Sequence, residues 1–262
     1  MWYPPGPPLL GRPARMLGVV GSTMAEAAAW AAEGAPHGAL VVAEHQTAGR
    51  GRHGRRWTDA PGSSLMLSLV LRPAELRPPL PPDRLGLVSL AAGLAVCHAV
   101  EAVAPELAPR LKWPNDVLLG SAKLAGVLPE VSWTAGVPTV ILGVGINVEQ
   151  KRFPPSLGAR ATSLRLATGR ATDRLALLGP FLDALEAHLG CAARTPERLL
   201  ETLEARMGRL GVAVRVAFPG VERAPLVGTT AGLAADGALR IATGAGEACV
   251  HAGEVTLADD WE

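Results

Sequence analysis

Apolar positions recur along the first two hundred residues with the periods of both helices and strands. Residues 22–34 have helical spacing, with Glu26 three residues after Thr23, as in a capping box. The apolar run from 85 to 104 predicts a long buried helix with Asp83 as its cap. Apolar runs bounded by turn residues predict strands at 39–43, 63–72, 110–113, 124–131 and 139–148.

The last third of the chain changes from helical to strand periodicity. A Leu/Ala period predicts a helix over 173–190, which Pro180 kinks or splits, and Thr195-Pro196 has the composition of an N-cap and first turn. Beyond residue 211 the apolar positions alternate in short runs, and Asp236-Gly237 is a hairpin turn signal. The pattern therefore predicts a small all-β, barrel-like domain after a boundary near 211.

Composition excludes several classes of protein. The 262 residues carry 25 Lys+Arg and 24 Asp+Glu, so a net charge of +1 argues against a globally basic nucleic-acid binder. Because 48% of residues are hydrophobic and 19% charged, the chain is not disordered. Three widely spaced cysteines make a disulfide framework improbable and favour a reducing cytosol. The proline-rich start of the chain does not fit a secretory signal, and the 85–104 run, which carries His98 and Glu101, fits a core helix better than a membrane span.

A scarcity of certain residue types points to the site. The chain has 22 arginines but three lysines, two asparagines and two glutamines. In an arginine-rich chain, residues of these rare types are expected to serve a specific purpose. Lysine, for example, is a compact point charge, whereas arginine is a planar fork. All seven lie between positions 46 and 151, namely Gln46, Lys112, Asn115, Lys123, Asn147, Gln150 and Lys151. The chemistry is therefore expected in the first 151 residues.

A glycine- and arginine-rich loop follows the strand at 39–43. Its sequence from Gly49 to Trp57 is GRGRHGRRW, with arginines at 50, 52, 55 and 56. Glycines let backbone amides approach an anion, and arginines bind phosphate or carboxylate through paired N–H groups. We expect the loop to be mobile until an anion orders it. Taken alone, the loop fits RNA binding equally well, because Gly/Arg runs also bind RNA.

A second motif, KWPND, occupies residues 112–116. Its proline interrupts a regular strand, so Lys112, Asn115 and Asp116 are presented at a strand end. A lysine and an acid there can hold a phosphate and a divalent cation, and Mg²⁺ needs only one or two carboxylates. The simpler interpretation is an Asn-Asp turn beside a solvated lysine.

Three further features suit a neutral or flat ligand. Lys123 opens a strand in which Gly126 leaves room for a ligand, and Gly143 to Asn147, GVGIN, ends a strand in bare backbone on which a flat ring could lie. Neither is a dinucleotide fingerprint. Gln46 and the Ser22-Thr23 helix start offer uncharged hydrogen-bonding groups, although simple capping explains the pair equally well. None of the six histidines has metal-ligand spacing.

Together GRGRHGRRW, KWPND, KLAGVLPE and GVGIN, in this order and spacing, resemble the biotin protein ligases, also called biotin–acetyl-CoA-carboxylase ligases, over roughly residues 15–260. The resemblance implies an α/β (α+β) fold with a mixed-sheet catalytic domain and a small SH3-like barrel. The implied division is a mobile arm at 1–14, a catalytic domain at 15–210 and the barrel at 211–262. Few residues precede the match, so the chain is expected to lack the DNA-binding domain of bifunctional members.

The resemblance also implies roles for individual residues. Biotin would contact Ser22, Thr23, Gln46, Arg50, Gly51, Arg52, Lys123 and Gly126. ATP or the adenylate would contact Arg50, Arg52, Trp57, Lys112, Asn115 and Asn147. Catalysis would depend on Lys123, Arg52, Lys112 and Asp116, with Asp116 acting on Mg²⁺ or on the acceptor lysine. Met24 and His53 depart from the family pattern, and Met24 puts one polar ligand contact in doubt.

The implied activity is ATP-dependent formation of biotinyl-5′-AMP and transfer of biotin to a lysine of a biotin carboxyl carrier protein domain. The enzyme would be cytoplasmic, would bind neither DNA nor membrane, and could form a homodimer. One alternative is a lipoate-protein ligase, which uses the same adenylate chemistry. The other is a Gly/Arg-loop RNA-binding module, whose affinity would fall steeply with salt.

Overall fold

Two β-sheets and five α-helices build the computed structural model, which describes residues 10–208 and 210–257. The strands are β1 Ala14–Val20, β2 Leu40–Gln46, β3 Ser64–Leu71, β4 Arg110–Lys112, β5 Asp116–Leu119, β6 Ala122–Thr134, β7 Val137–Asn147, β8 Ala213–Ala217, β9 Leu226–Leu233, β10 Leu239–Thr243, β11 Gly246–Val250 and β12 Glu254–Leu257. The helices are α1 Thr23–Ala32, α2 Leu87–Val103, α3 Leu164–Thr168, α4 Leu178–Arg194 and α5 Pro196–Met207.

The first seven strands form one sheet in the order β1-β2-β3-β7-β6-β5-β4. β1 pairs with β2 in parallel, and every other neighbouring pair is antiparallel. The predicted mixed α/β fold is therefore confirmed. All eight residues of β3 are buried, as expected for a central strand covered on both faces.

Helices cover the two faces of this sheet. On one face, Met24 and Ala27 of α1 pack against Val41, Val70 and Ile141 of the strands. On the other face, α2 joins the large apolar core together with α4 and α5. Thirteen of the 17 residues of α2 are buried, so the apolar run at 85–104 is a core helix, as predicted.

Helix starts differ from the sequence prediction. α2 has Gly86 at its N-cap and Asp83 lies in a short 3₁₀ turn before it, so the predicted Asp83 cap is wrong. At α1 the N-cap Ser22 makes no side-chain capping bond, and the predicted capping box of Thr23 and Glu26 is also absent. The Thr23 hydroxyl instead hydrogen-bonds the side chain of Gln46 on β2, because tertiary contacts compete with local capping.

Two strands were not predicted, β1 at the sheet edge and β5, which begins at Asp116 of KWPND. β1 is largely exposed and follows a proline-rich segment, and β5 has four residues, so neither gives a strong period-two signal. The predicted helix over 173–190 is divided into a 3₁₀ turn at Arg174–Leu177 and α4, whose first turn contains Pro180, so the chain is split just before the proline. α5 has Thr195 at its N-cap and Pro196 in its first turn, as predicted, and Gly208 at its C-cap.

The C-terminal strands form a separate antiparallel sheet in the order β11-β10-β9-β8-β12. The Asp236-Gly237 turn joins β9 to β10 as predicted. That this sheet is SH3-like, and that the domain limits are 15–210 and 211–262, stay predictions.

The chain from Arg174 to Arg194 is long and apolar enough to cross a membrane by length and composition alone, but Phe181, Leu185 and Leu189 on one face of it lie in the core.

The predicted mobile arm, residues 1–14, lies mostly outside the described residues. Its described end is held against the fold. Leu10 is 3% exposed, and the Gly11 amide donates to the Gly38 carbonyl at 2.8 Å. Residues 10–14 therefore differ from the expected free arm.

Candidate active site

A buried polar floor lies where α1 meets β2 and β3. The Thr23 amide and hydroxyl both donate to Gln46 Oε1, at 2.7 and 3.0 Å, and Ser68 Oγ donates to Thr23 Oγ1 at 2.9 Å. Ser22 Oγ is buried and has no hydrogen-bond partner. A buried hydroxyl without a partner is uncommon in folded proteins and marks a place where a ligand can supply the missing bond. The floor therefore suits an uncharged polar ligand head.

Met24 adds an apolar wall beside this floor. Its side chain is 4% exposed, and its Sδ lies 2.7 Å from where a Cβ on Gly143 would be, so the thioether fills the space left by that glycine. Thioethers are polarizable and adapt to irregular surfaces. The position therefore offers packing to a ligand.

The segment from Gly49 to Trp57, which we call the Gly/Arg loop, folds back on itself as a short hairpin. The backbones of Arg50 and Arg56 pair in an isolated antiparallel β-bridge, and the Trp57 amide donates to the Gly49 carbonyl at 3.0 Å. Its tip is a 3₁₀ turn over Arg52–Gly54 in which His53 has φ 54° and ψ 38°. Left-handed conformations are unusual for a residue with a Cβ, so the tip has a defined shape.

The arginines of this loop are held by acceptors on four different segments. Arg52 Nη1 donates to Asn115 Oδ1 at 3.2 Å and to the Gly253 carbonyl at 3.3 Å, which aims its guanidinium into the protein. Partial burial lowers the pKa of Arg52 from its usual value, against the opposing fields of Asp116 and Glu254. A partly desolvated cation interacts strongly with an anion because the local dielectric is low. The sequence predicts a loop ordered by an anion, whereas here protein groups themselves hold these side chains.

The remaining loop arginines bind outward. Arg50 pairs with Glu130 at 2.7 Å, Arg55 Nη2 lies 2.6 Å from Glu254 Oε1, and Arg56 Nη2 donates to the Thr47 carbonyl at 2.7 Å.

KWPND forms the turn between β4 and β5, with a cis peptide between Trp113 and Pro114. The Asn115 side-chain amide donates to the Val127 carbonyl at 2.8 Å, and the Val127 amide donates to the Asn115 carbonyl at 2.9 Å. Trp113 is buried and its indole N–H donates to the Gly237 carbonyl at 3.1 Å. The turn is therefore fixed at both ends, and Lys112 on β4 stays exposed beside it.

Lys123 and Asp116 form an ion pair within the same region. Lys123 Nζ lies 2.6 Å from Asp116 Oδ1, and the two side chains are 35% and 23% exposed. Lys123 also lies 5.7 Å from the centre of the Trp57 ring, within reach of a cation–π contact. The pair places a point cation for an anionic ligand next to a carboxylate that can accept a proton or bind a cation.

The flat ring that lies against the glycine backbone is the indole of Trp57, a side chain of the protein itself. A Cβ on Gly145 would lie 2.7 Å from Trp57 Cε2, and one on Gly126 would lie 3.1 Å from Trp57 Cζ3. The indole therefore lies against β6 and β7, so closely at Gly145 that a side chain there would displace the ring. Its Nε1 is buried without a hydrogen-bond partner, so it can still donate to a ligand.

Asn147 contributes to the framework at the end of β7. Its Nδ2 donates to the Thr162 carbonyl at 3.0 Å, and its Oδ1 accepts from Gln150 Nε2 at 3.0 Å. Gln150 in turn donates to Ser64 Oγ. Both ends of the Asn147 amide are thus engaged within the protein, and its role in adenine binding stays a prediction.

One cleft of about 950 Å³ brings these groups together. All predicted site residues line it, namely Ser22, Thr23, Gln46, Arg50, Gly51, Arg52, Trp57, Lys112, Asn115, Asp116, Lys123, Gly126 and Asn147. Sequence reasoning missed two further parts of its wall, a segment that includes Phe153 and Leu157, and Gly253–Thr256 of the C-terminal sheet. No lysine, asparagine or glutamine of either segment lines the cleft, and both segments reach it by tertiary packing.

No group of three or more histidine, cysteine, aspartate or glutamate side chains clusters for a metal within residues 10–208 and 210–257. Among the described residues that line the cleft, Asp116 and Glu254 carry carboxylates, and Asp116 lies beside Lys123 whereas Glu254 pairs with Arg55. Mg²⁺ in nucleotide sites keeps several waters and uses one or two carboxylates plus substrate phosphates. The donor set therefore fits a magnesium ion that arrives with a nucleotide.

Comparison with known proteins gives a consistent result. The family model described as biotin/lipoate A/B protein ligase family matches residues 18–147. The chain is 39% identical to the biotin–[acetyl-CoA-carboxylase] ligase of Mycobacterium tuberculosis over 92% of this chain and 88% of that protein. It is 36% identical to the ligase of the same name from Paracoccus denitrificans over 92% and 98%. A solved structure of the Aquifex aeolicus biotin protein ligase in complex with biotin and ATP superimposes with a TM-score of 0.79 at 31% identity, covering 94% of this chain and 98% of that chain.

Proposed function

The chain belongs to the biotin/lipoate A/B protein ligase family and, within it, to the biotin protein ligases, and we propose that its single cleft carries out both steps of biotin ligation. The enzyme activates biotin with ATP and transfers it to a carrier-protein lysine. The observation that carries the residue assignments is the convergence of Lys123, Arg52 and Asp116 in one cleft above the polar floor. The steps below are assigned to particular side chains on that basis.

Biotin binds with its ureido group on the floor. The ureido group has one carbonyl and two N–H groups, and the hydroxyls of Ser22 and Thr23 and the amide of Gln46 offer matching donors and acceptors. Met24 packs against its apolar part. The carboxylate end of biotin lies near Lys123, whose Nζ is 3.2 Å from where a Cβ on Gly126 would be, so the glycine leaves room for the lysine and the Trp57 ring at this end of the ligand.

The first step joins biotin to adenylate. A carboxylate oxygen of biotin attacks the α-phosphorus of ATP, a new P–O bond forms, and the bond to the β-phosphate breaks with release of pyrophosphate. Charge grows on the α-phosphate oxygens, and Lys123, Arg52 and Lys112 stabilise it. Lys123 exchanges its present partner Asp116 for the substrate anion.

The nucleotide lies between the Gly/Arg loop and KWPND. Trp57, Asn115, Asn147, Arg50 and Arg52 all line the cleft. We assign the first three to adenosine and the two arginines to the phosphates. A magnesium ion would be held by Asp116 and the nucleotide phosphates, and it would neutralise part of the phosphate charge.

The second step transfers biotin to lysine. The neutral amine attacks the acyl carbon, an amide bond forms, AMP leaves, and the amine loses a proton. Asp116 is placed to orient the amine or accept that proton. The mixed anhydride hydrolyses in water, so Arg50, Gly51 and Arg52 act as a lid that shields it until the carrier arrives.

The partner that we propose is the biotin carboxyl carrier domain of acetyl-CoA carboxylase, as the names of the relatives indicate. We place the enzyme in the cytoplasm, which agrees with its three free thiols, Cys97, Cys191 and Cys249.

A transfer assay tests this function against the lipoate and RNA alternatives. The chain is incubated with ATP, Mg²⁺, a biotin carrier domain and either biotin or lipoate, and the intact mass of the carrier is measured. We expect one biotinyl group on one carrier lysine and no product with lipoate. Lipoyl transfer without biotinyl transfer would favour the lipoate ligase, and salt-sensitive RNA binding without either product would favour the RNA-binding module.

A further inference from the structure

The C-terminal sheet contacts both catalytic segments of the first domain. The Gly237 carbonyl accepts from the indole of Trp113 in KWPND at 3.1 Å. The Gly253 carbonyl accepts from Arg52 at 3.3 Å, and Glu254 pairs with Arg55 at 2.6 Å. Gly253–Thr256 also lines the cleft itself. The small sheet is therefore part of the wall of the active site.

The contacts divide the Gly/Arg loop into a base and a tip. Arg50 and Arg56, at the base, are held by Glu130 and the Thr47 carbonyl, both in the catalytic domain. Arg52, the first residue of the tip turn, and Arg55, which follows the turn, bind the consecutive residues Gly253 and Glu254. The C-terminal sheet thus holds the part of the loop that carries Arg52.

We infer that Glu254 is a positioning residue that holds the tip of the Gly/Arg loop over the activated biotin by pairing with Arg55. This inference rests on the proposed function, and it assigns to the C-terminal sheet the closing of the lid. Arg55 is 70% exposed and Glu254 is 32% exposed, so solvent screens the pair and it is weak. A weak contact suits a lid that must open for the carrier lysine, because its closed and open forms then differ little in population.

Glu254→Gln tests the pair because it keeps the shape of the side chain and removes its charge. The matched control is Glu247→Gln, which removes the partner of Arg240 on the same sheet, a pair that does not line the cleft. With biotin, ATP and Mg²⁺ but no carrier, we expect Glu254→Gln to release biotinyl-AMP about three- to fivefold faster than the control. The release rate is expressed per adenylate formed, so that a change in the rate of adenylate formation does not affect the comparison. Equal release by the two variants would overturn the inference.

Trypsin gives a readout that does not depend on catalysis. The enzyme cleaves after arginine, and the loop has four, so opening of the tip exposes new sites. We expect cleavage between residues 50 and 56 of the full chain, located by mass spectrometry, to be about three- to fivefold faster in Glu254→Gln than in Glu247→Gln. Unchanged cleavage would overturn the inference, whether or not the wild type forms adenylate. A wild type that forms no adenylate would overturn only the proposed function.

Charge reversal separates a specific pair from a general loss of stability. Arg55→Glu should open the loop, and Arg55→Glu with Glu254→Arg should restore slow cleavage and slow adenylate release. Restoration would support a direct pair. The direct pair would be contradicted if Arg55→Glu and Glu254→Arg each released adenylate faster than the wild type and the double variant did not restore slow release, with equal melting temperatures in all three variants.

Discussion

Lys123 and Asp116 hold opposite charges 2.6 Å apart, so each one sets the environment of the other. In the proposed reaction the lysine leaves this partner for the biotin carboxylate and the α-phosphate, and the carboxylate becomes available to the metal or the acceptor amine. The ion pair is therefore a resting arrangement from which both groups enter the reaction.

Replacing Lys123 by alanine removes the point charge that meets the transferred phosphate. We expect Lys123→Ala to reduce biotin-dependent ATP–pyrophosphate exchange by about 100-fold or more, in the range seen when one electrostatic donor is lost. Lys151→Ala is the matched control, because that lysine is exposed and lies outside the cleft wall. Similar exchange rates in the two variants would remove Lys123 from the catalytic step.

Individual site residues were predictable where the chain uses a residue type that it otherwise avoids. Lysine, asparagine and glutamine stand out in an arginine-rich sequence, and Gln46, Lys112, Asn115, Lys123 and Asn147 all line the cleft. Ser68 was not predicted because a serine in an apolar strand is common, and only the fold brings it to Thr23. Asn147 was predicted, but its engagement by Thr162 and Gln150 could not be, because both contacts depend on the chain after β7.

The elements position the site chiefly through glycines that let Trp57 approach β6 and β7. The indole occupies the space that a side chain at Gly126 or Gly145 would need. The backbone of both strands thus sets how deep the ring lies in the cleft, and the ring in turn forms the wall next to Lys123.

Gly145→Ala tests this arrangement. The new methyl group would lie 2.7 Å from the Trp57 ring, so the indole must move. We expect the KM for ATP in biotin-dependent pyrophosphate exchange to rise about tenfold or more, since small displacements of positioning groups have large effects. Gly18→Ala, where a Cβ meets no atom within 4 Å, is the control, and an equal KM in the two variants would contradict the role of Trp57.

At the scale of elements, long apolar runs were predicted well and short or exposed ones were not. β3 and α2 are buried and strongly apolar, so their sequence pattern is unambiguous. β1 is an exposed edge strand whose identity depends on its pairing with β2, which is distant in sequence. The predicted caps at Asp83 and Thr23 are wrong. Asp83 lies in a 3₁₀ turn before α2, and the Thr23 hydroxyl donates to Gln46 Oε1 on β2.

Across the whole molecule, a histidine pair joins α2 to α4 away from the cleft. His98 Nδ1 and His188 Nε2 lie 3.1 Å apart, and the nearby charged groups are Glu101 on α2 and Arg206 on α5, which pair with each other. Burial, and then the neighbouring His98, lowers the pKa of His188 to about 4. Burial and then Arg206 lower the pKa of His98. Both rings are therefore neutral in the folded protein at pH 7.

This pair makes stability fall in mild acid. A histidine whose pKa is lower in the folded than in the unfolded chain contributes stability above about pH 6.5, and this is lost as the pH falls toward about 4. Between pH 7 and pH 5, we expect the free energy of unfolding to fall by about 1–2 kcal/mol more in the wild type than in His188→Gln, allowing for partial exposure of the ring. Denaturant titration at both pH values measures the difference. Identical losses in the two proteins would show that the pair does not titrate in this way.

The relation between the two sheets was the part least accessible from sequence. The change of period near residue 211 predicts a separate β region, but nothing in the pattern indicates that Gly253 and Glu254 reach Arg52 and Arg55. Contacts between groups about 200 residues apart depend on the packing of the whole chain. For that reason the C-terminal sheet had no predicted role.

The most direct measurement is a crystal structure of the enzyme with a non-hydrolysable analogue of biotinyl-5′-AMP. The account predicts that the analogue fills the cleft, with its ring system on the floor of Ser22, Thr23 and Gln46 and its phosphate between Lys123 and Arg52. An analogue bound elsewhere, or one whose phosphate contacts neither Lys123 nor Arg52, would contradict the account.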